Sequence, residues 1–491
     1  MNDDNLRVRL YSSALSAPVD LLTLSGEEHV SQLSAFKLTF AAEAGLDLAA
    51  LVDPDARAAV LFLRGTELLR VMHGRLIVAE SYLEKERSVP TASVQFAPRA
   101  ARLAMHRRTE TYTGTLDEIL RAVLDRSGFV DEHDYELRLS TAYPSREFVL
   151  QYQEDDLAFI SRLCEHWGVY FFFEHGQRDV MVFCDDVQSV RDVATSPQDQ
   201  EPKPGSPQNP ASQGTTQVPF QLVSDQSSAK RLAILAFGEK RRAVTGVVVV
   251  HDYNYRLPSL PLNTTVPVTD PPEGIQVEYG LHYKTPEEGR LFATRRAEAL
   301  LATQHTHRGE SNTPVLRAGG SVELTHPDDG DRKLLVTGVS HEASTAGYSN
   351  HFSALPAGVS YRAPIATPKP RVAGVVTGVV IGPQADDPLI DEEGRYQVAL
   401  LFDAGPGAAR QTRPIRMLQP TAGPDYGMHF PLKPGTEVAV AFVNGDPDRP
   451  LIVGAVPNPI TPSPVRGERQ NRRRNLLKSF SGIEIEMDDD A

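Results

Sequence analysis

The stretch QEDDLAFISRLCEHWGVYFFFEH, residues 153–175, decides the fold class of this chain. Its apolar residues recur at spacings of three and four, the period of an amphipathic helix. They are Leu157, Ile160, Leu163, Cys164 and Trp167. Gly168 follows as a helix terminator, and the aromatic run after it favours a strand. The pattern predicts a helix over 153–168 that leads directly into a strand, and therefore an α+β arrangement.

Strand patterns dominate the residues before this stretch. Three segments show strand-like alternation or enrichment in β-branched and aromatic residues: RVRLYSS (7–13), SAFKLTFAAE (34–43) and ASVQFAP (92–98). Helices are predicted over 115–129, with Thr115 as cap, and over 285–305, with Thr285 as cap and Pro286 in its first position. Residues 319–343 predict two strands joined by a turn at Asp329-Gly330.

Two segments read as connections. Residues 193–229 are rich in Pro, Ser and Gln and predict a flexible loop or linker. RAPIATPKPRVAG (362–374) is punctuated by proline and predicts a domain boundary. Beyond it, about five short strands between 372 and 456 predict a small barrel such as an OB-fold.

The sequence ends on SGIEIEMDDDA, residues 481–491. Ile483, Ile485 and Met487 alternate with acidic residues, which predicts a strand with one apolar and one acidic face. No later segment is available to cover the apolar face, so its partner is an open question at this point. The basic stretch 466–478 before it has six Arg or Lys against one Glu and is interpreted as a linker that forms ion pairs with acidic neighbours.

The composition of the chain excludes several classes of protein. With 491 residues, 41% hydrophobic and 23% charged, the chain has material for about three globular domains. With only two cysteines, the chain cannot form a disulfide scaffold. Its net charge of −14 argues against a protein whose whole surface binds nucleic acid. No signal peptide and no apolar run of about 18 residues is visible, so we expect folding in the cytoplasm.

The sequence contains only weak evidence for a metal site or a catalytic site. Cys164, His166, His175 and Cys184 have a spacing that fits no common zinc signature, and His305 and His307 lie near a predicted helix end without a third ligand. We therefore predict no metal site and no cofactor.

The acidic run Glu154, Asp155 and Asp156 is interpreted as helix-start charge, because three adjacent exposed acids do not separate their pKa values as catalysis requires. GPGAAR (405–410) lacks the Lys-Ser/Thr of a phosphate-binding loop. The segment 372–456 holds six basic and ten acidic residues, which disfavours nucleic-acid binding by an OB barrel. The sequence thus predicts no catalytic residues.

Several stretches together resemble the VgrG family, the trimeric spike proteins of type VI secretion systems. REFVLQYQEDDLAFISRLCEHWGVYFFFEHG (146–176) resembles the family signature. Further matches occur in the family's order: HDYNYRLPS (251–259), YKTPEEGRLFATRRAEAL (283–300), LRAGGSVELTHP (316–327), LLVTGVSHEA (334–343), TPKPRVAGVVTGVVIGP (367–383), DEEGRYQVALLFD (391–403), FVNGDPDRPLIVGAV (442–456) and NRRRNLLKSFSGIEIEMDD (471–489).

The resemblance implies a mainly β, multidomain (α+β) fold. Residues 1–365 would form a phage-hub-like region of β-barrel domains with helical insertions, and 370–457 the OB-fold. Residues 458–491 would be a linker and the first strand of a triple-stranded β-helix needle. Three copies of that strand would bury Ile483, Ile485 and Met487 as the trimer needle interface.

The implied function is mechanical. A homotrimer would cap an Hcp-like inner tube, contact baseplate proteins and a PAAR-repeat tip protein, and carry effectors or adaptors transiently through a target membrane. It would leave the cell through the apparatus, without a signal peptide and without catalytic activity. A cell-wall hydrolase and a nucleic-acid-binding OB protein are the competing hypotheses.

Two departures from the family pattern leave alternatives open. RPIRMLQP (413–420) replaces the Cys-Trp-Val-Arg pattern of many relatives, so an extracellular contractile particle stays an alternative to a type VI system. The sequence also stops where relatives continue into a long needle, which is consistent with a truncated form or with a needle supplied by another chain.

Overall fold

The computed structural model describes residues 6–43, 45–82, 90–187, 216–220, 231–326, 330–384, 387, 389–403, 412–465 and 473–489. The chain divides into two compact units. The first contains residues 1–106, 120–143 and 156–368, and the second contains 107–119, 144–155 and 369–491. Strand far exceeds helix among the described residues, so the predicted mainly β fold class is confirmed.

The first unit begins with a closed six-stranded barrel. Its elements are β1 (Leu6–Ser12), β2 (Val19–His29), β3 (Ala35–Ala41), α1 (Leu48–Leu51), β4 (Ala58–Arg64), β5 (Glu67–Tyr82) and β6 (Thr91–Ala97). The strand order is β1-β4-β5-β6-β3-β2, and β1 also pairs with β2, which closes the barrel. Alternate residues of β3, namely Phe36, Leu38 and Phe40, point into the core, as the period of two requires.

The middle of the chain contains most of the helical structure. Its elements are a 3-10 helix (Arg99–Met105), β7 (Arg107–Gly114), α2 (Leu116–Arg126), β8 (Tyr135–Arg138), β9 (Arg146–Asp155), α3 (Asp156–Trp167), β10 (Tyr170–His175) and β11 (Asp179–Cys184). The predicted succession of helix, Gly168 and aromatic strand is confirmed. Gly168 has a φ of +69°, and the Val169 N–H donates to the Cys164 carbonyl at 2.8 Å, which ends α3.

The rest of the first unit extends the barrel sheet. Its elements are β12 (Thr216–Pro219), β13 (Ile234–Arg241), β14 (Val247–Asp252), β15 (Leu262–Pro267), β16 (Ile275–Tyr279), α4 (Pro286–Leu301), β17 (His305–Ser311), β18 (Ser321–His326), β19 (Gly330–Ser344) and β20 (Gly347–Pro356). The long strand β19 pairs with β2 and β20, and β17 and β13 follow β20. Strands β14 to β16 form a separate sheet that α4 packs against.

Two sequence predictions fall partly outside the described residues. The predicted loop 193–229 contains the strand β12, which pairs in parallel with β18; apart from residues 216–220, the rest of that segment lies outside the described residues. The predicted strands of 319–343 are β18 and β19, whereas Asp329 of their predicted turn lies outside the described residues.

The second unit is a small barrel followed by a hairpin. Its later elements are β21 (Val375–Val380), β22 (Val398–Leu400), β23 (Ala422–Gly423), β24 (Tyr426–Gly427), β25 (Glu437–Phe442), a 3-10 turn (Val443–Gly445), β26 (Pro450–Ala455), β27 (Arg474–Lys478) and β28 (Glu484–Asp488). The sheet order is β22-β21-β25-β26. Bridges Tyr396–Ile415 and Met417–Ile452 join its two ends, so the barrel closes as an OB-fold requires.

Strands β7 and β9 belong to this second unit although they precede it by more than 200 residues. Phe148 and Leu150 of β9 are buried in the barrel core. The Leu150 N–H donates to Asp448 Oδ1 at 2.7 Å, and Thr111 Oγ1 of β7 donates to Asp403 Oδ2 at 2.8 Å. The OB barrel is therefore completed by a strand pair from the first half of the sequence.

Leu150→Ala is expected to destabilise the second unit by about 2–5 kcal/mol, because it removes a fully buried side chain and leaves a cavity. Hydrogen exchange of the β21 and β25 amides checks this, with faster exchange expected in the variant. Ile460→Ala is the control, since Ile460 is 89% exposed in the same unit. Equal exchange in both variants would show that β9 is not part of the barrel core.

Candidate functional site

The last two strands form an antiparallel hairpin in which β27 pairs with β28 along its whole length. Arg474 lies opposite Asp488, Leu477 opposite Ile485, and Lys478 opposite Glu484. The prediction that this basic stretch forms ion pairs with acidic neighbours is confirmed for Arg474 and Lys478. Its interpretation as a linker is wrong for 474–478, because these residues form a strand that pairs with the terminal strand. Residues 466–472 of the same basic stretch lie outside the described residues.

One face of the hairpin carries ion pairs. Arg474 Nη1 lies 2.9 Å from Glu486 Oε1, and its Nε lies 3.3 Å from Asp488 Oδ2. Lys478 Nζ lies 2.8 Å from Glu484 Oε2, and this hydrogen bond lowers the pKa of the Glu484 carboxyl. The pairing of a basic with an acidic strand fixes the register of the hairpin.

The other face is apolar and exposed. Ile485 and Met487 of β28 are 59% and 61% exposed, and Ile483, just before the strand, is 71% exposed. Leu477 of β27 lies opposite Ile485 and is also exposed. Phe480 in the turn is exposed, with its ring 4.8 Å from Lys433 Nζ. Among the described residues, none buries this row, so the hairpin presents an amphipathic surface whose apolar half is available for assembly.

The structure thus places the predicted interface residues Ile483, Ile485 and Met487 on or beside one exposed strand. Whether three copies bury them remains a prediction. The complementary charge of this stretch was evident in the sequence, but its pairing as a strand with β28 was not.

A second feature that sequence reasoning missed is a buried polar network in the first barrel. Arg70 donates to both carboxylate oxygens of Glu28 at 2.9 and 3.0 Å, and to the carbonyls of Pro314 and Leu316. His341 Nε2 lies 2.8 Å from Glu28 Oε1, and its Nδ1 lies 2.6 Å from the Tyr348 hydroxyl.

Electrostatic interactions keep the Glu28 carboxyl of this network ionised. Burial alone raises the pKa of Glu28, but the charge of Arg70 and the hydrogen bond with His341 outweigh it and lower that pKa to about 2. The pKa of His341 is lowered, chiefly by burial. The hydrogen bonds of this network connect strands β2, β5, β19 and β20.

The four residues considered for zinc do not come together. Cys164 lies on the buried face of α3, and His166 lies against the rings of Trp167 and Phe292. His175 and Cys184 lie at opposite ends of the β10–β11 pair, where His175 faces Asp179 and Cys184 faces Tyr170. Burial raises the pKa of both thiols.

The interpretation of the acidic run as helix-start charge is wrong for two of its residues. Strand β9 continues through Glu154 and Asp155, and α3 begins at Asp156. Asp156 is buried, not exposed, and accepts a hydrogen bond from Ser127 Oγ at 2.8 Å. Gln153, within β9, has a positive φ of 49°, a local irregularity of the strand that the spacing of apolar residues does not reveal.

His305 and His307 lie in strand β17, not at a helix end as predicted, because α4 stops at Leu301. The buried His307 ring stacks on Phe237 with centroids 5.0 Å apart, and burial lowers its pKa. The GPGAAR loop lies outside the described residues. Among the helices of the described residues, none combines the length and the apolarity that crossing a bilayer requires.

Two family models match the chain. The phage tail baseplate hub (GPD) model matches residues 27–347, which is more than half of the chain. The type VI secretion system/phage-baseplate injector OB domain model matches residues 376–456, the segment that forms the small barrel.

Individual proteins agree with these models. The chain is 30% identical to the type VI secretion system spike protein VgrG4b of Pseudomonas aeruginosa over 96% of its own length, and spans 58% of the length of that relative. The E. coli c3393 protein, a component of the type VI secretion system, shares the fold with a TM-score of 0.64 and 23% identity, covering 91% of this chain and 99% of that one. The VgrG complex with PdpA from Francisella contains a chain that matches with a TM-score of 0.60 and 10% identity, covering 99% of this chain and 83% of that one.

The match of both units and of their order leads to one conclusion: the chain belongs to the phage tail baseplate hub family and is a homologue of the VgrG spike proteins of type VI secretion systems.

Proposed function

We propose that this chain acts as a structural, trimeric spike and hub of a contractile injection apparatus of the type VI kind. The observation that carries the proposal is the exposed apolar row Ile483, Ile485 and Met487, which follows an OB barrel in a chain of the hub family.

A trimer explains the exposed row in physical terms. Burying one such side chain fully is worth about 1.5–3 kcal/mol, so a lone hairpin that leaves three of them in water gives up substantial stabilisation. Three hairpins around an axis bury these side chains together and leave Glu484, Glu486 and their basic partners facing water.

The partners follow from the same role. The trimer caps an Hcp-like inner tube, contacts baseplate proteins, and carries a PAAR-repeat tip protein with effectors or adaptors. It assembles in the cytoplasm and leaves through the apparatus, touching the target membrane only in transit. Its work is mechanical, and no catalytic step is assigned to it.

An electron cryomicroscopy map of the particle tip tests this function. The expected result is three copies of this chain around a threefold axis at the end of the inner tube. A particle whose tip is built from another hub protein, with this chain absent, would overturn the proposal.

A further inference from the structure

One end of the first barrel carries arginine side chains on its outer face. Strands β4 and β5 are antiparallel, with Ala58 opposite Gly74, so the same register sets Arg57 opposite Arg75. Ala58 points into the barrel core, whereas Ala59 belongs to a separate cluster outside it. Because alternate residues of a strand point to the same face, Arg57 and Arg75 lie on the outer face with Ala59.

Two further segments bring arginines to the same end. Arg75 also lies opposite Ala97 of β6, two residues before the 3-10 helix that begins at Arg99. The turn between β10 and β11 lies against the start of this helix, because the Arg99 N–H donates to Asp179 Oδ2. Strand pairing and this hydrogen bond therefore bring together five residues, which we call the arginine cluster: Arg57, Arg75, Arg99, Arg102 and Arg178.

The arginine cluster has fewer counter-charges than cations. Arg99 donates to Asp134, and the Asp53 carboxylate raises the pKa of Arg75 from a distance without a hydrogen bond to it. Four arginines form no ion pair with any described residue: Arg57, Arg75, Arg102 and Arg178. This local excess of positive charge contrasts with the whole chain, in which Asp and Glu outnumber Lys and Arg by 64 to 50.

Arg75 is the most deeply buried member of the arginine cluster. It is 8% exposed, and its buried Nε has no hydrogen-bond partner among the described residues. Burial and the charges of Arg102 and Arg99 lower the pKa of its guanidinium, and burial also lowers the pKa of Arg178. A buried cation with an unused donor and like charges around it costs free energy, and a bound anion offsets that cost.

We propose that the arginine cluster binds a free, doubly charged oxyanion of the phosphate class. A guanidinium presents N–H donors in a planar fork that fits pairs of oxyanion oxygens. Arg75 supplies a buried donor, and the half-buried Arg102 and Arg178 supply further donors beside it. An acidic polypeptide or a membrane surface would need these side chains in the open, whereas Arg57 alone of the five is exposed.

This site is independent of the proposed trimeric spike, because all five arginines belong to the first unit. A bound oxyanion would join the outer face of the barrel, the 3-10 helix and the β10–β11 turn through charge-assisted hydrogen bonds. Its binding therefore stabilises the folded first unit in proportion to the logarithm of the ion concentration.

Isothermal titration calorimetry of the full chain with sodium phosphate, at neutral pH and low ionic strength, tests the site. The expected result is saturable binding that sulfate competes for and that chloride at the same ionic strength does not. Arg75→Gln and Arg102→Gln are each expected to weaken phosphate binding at least about tenfold. Arg290→Gln is the matched control, since it removes the same charge from an exposed position on α4 and should bind phosphate as the unsubstituted chain does.

The outcomes separate a site from a general effect of charge. Absence of saturable binding to the unsubstituted chain overturns the proposal, and so does binding that both cluster variants retain, because the ion then lies elsewhere. Equal weakening in Arg290→Gln also overturns it, since net charge rather than a site would then be responsible. Arg102→Gln keeps the test valid if loss of the buried Arg75 disturbs folding, which the calorimetric unfolding transition of each variant shows. Phosphate binding without a trimer, or a trimer without phosphate binding, contradicts one proposal and leaves the other standing.

Discussion

Glu28→Gln is expected to lower the free energy of unfolding of the first unit by about 3–5 kcal/mol, the usual cost of breaking a buried ion pair by removing one partner. The Arg70 guanidinium is buried and donates to both oxygens of the Glu28 carboxylate. With a neutral amide in its place, the cation stays in the barrel without a counter-charge. Its two carbonyl partners, Pro314 and Leu316, supply only partial compensation.

Differential scanning calorimetry measures this effect as a fall of about 4–7 °C in the transition of the first unit. Glu27→Gln is the matched control, because Glu27 is the preceding residue on the same strand and is exposed. We expect the control to unfold within about 1 °C of the unsubstituted chain, since surface ion pairs contribute little. An unchanged transition in Glu28→Gln would show that the network does not hold the barrel together.

The same network predicts how the stability of the first unit depends on pH. The pKa of Glu28 falls from its ordinary value of 4.5 to about 2 in the folded chain. The stabilisation is therefore complete above pH 4.5 and is lost as the pH falls through 2, because the unfolded chain then takes up the proton first. Glu28→Gln should remove this dependence, so the difference in melting temperature between the two proteins should shrink between pH 5 and pH 2.

Local signals in the sequence were sufficient to predict the presence of α2, α3 and α4, and of the strands β21, β22, β25 and β26 of the small barrel. Thr285 caps α4 by accepting from the Glu288 N–H, and Pro286 occupies the first position, as the cap rules predict. The strands of the OB barrel also follow their apolar runs. These features depend on residues that are close in sequence, so periodicity and capping chemistry detect them.

The features that sequence reasoning missed depend on distant partners. Leu150 looked like part of the first region, but β9 packs in the core of a barrel whose other strands begin at Val375. Glu28 and Arg70 lie on different strands, 42 residues apart in sequence, and only the fold of the barrel brings them together. The sequence pattern of 474–478 favoured a linker, because its basic residues reveal a strand only when they are set against β28.

Ile483→Asp is expected to weaken trimer assembly strongly, because a carboxylate replaces an apolar side chain in the row that three copies are proposed to bury. An unpaired charge in a desolvated interface costs several kcal/mol, and a threefold axis brings three such charges close to one another. We therefore expect the dissociation constant of the trimer to rise by at least about 100-fold, which corresponds to about 2.7 kcal/mol. Sedimentation velocity over a range of concentrations measures it.

Ile460→Asp is the control for this change, because Ile460 is exposed in the same unit and lies outside the hairpin. The hairpin itself should survive in the Ile483 variant, since its register is held by Arg474 and Lys478 on the opposite face. Hydrogen exchange of the β27 and β28 amides in the monomer verifies this, so a loss of trimer is not mistaken for a loss of the strand pair. If the variant assembles as tightly as the control, the apolar row lies outside the interface, and the trimer depends on other surfaces of the chain.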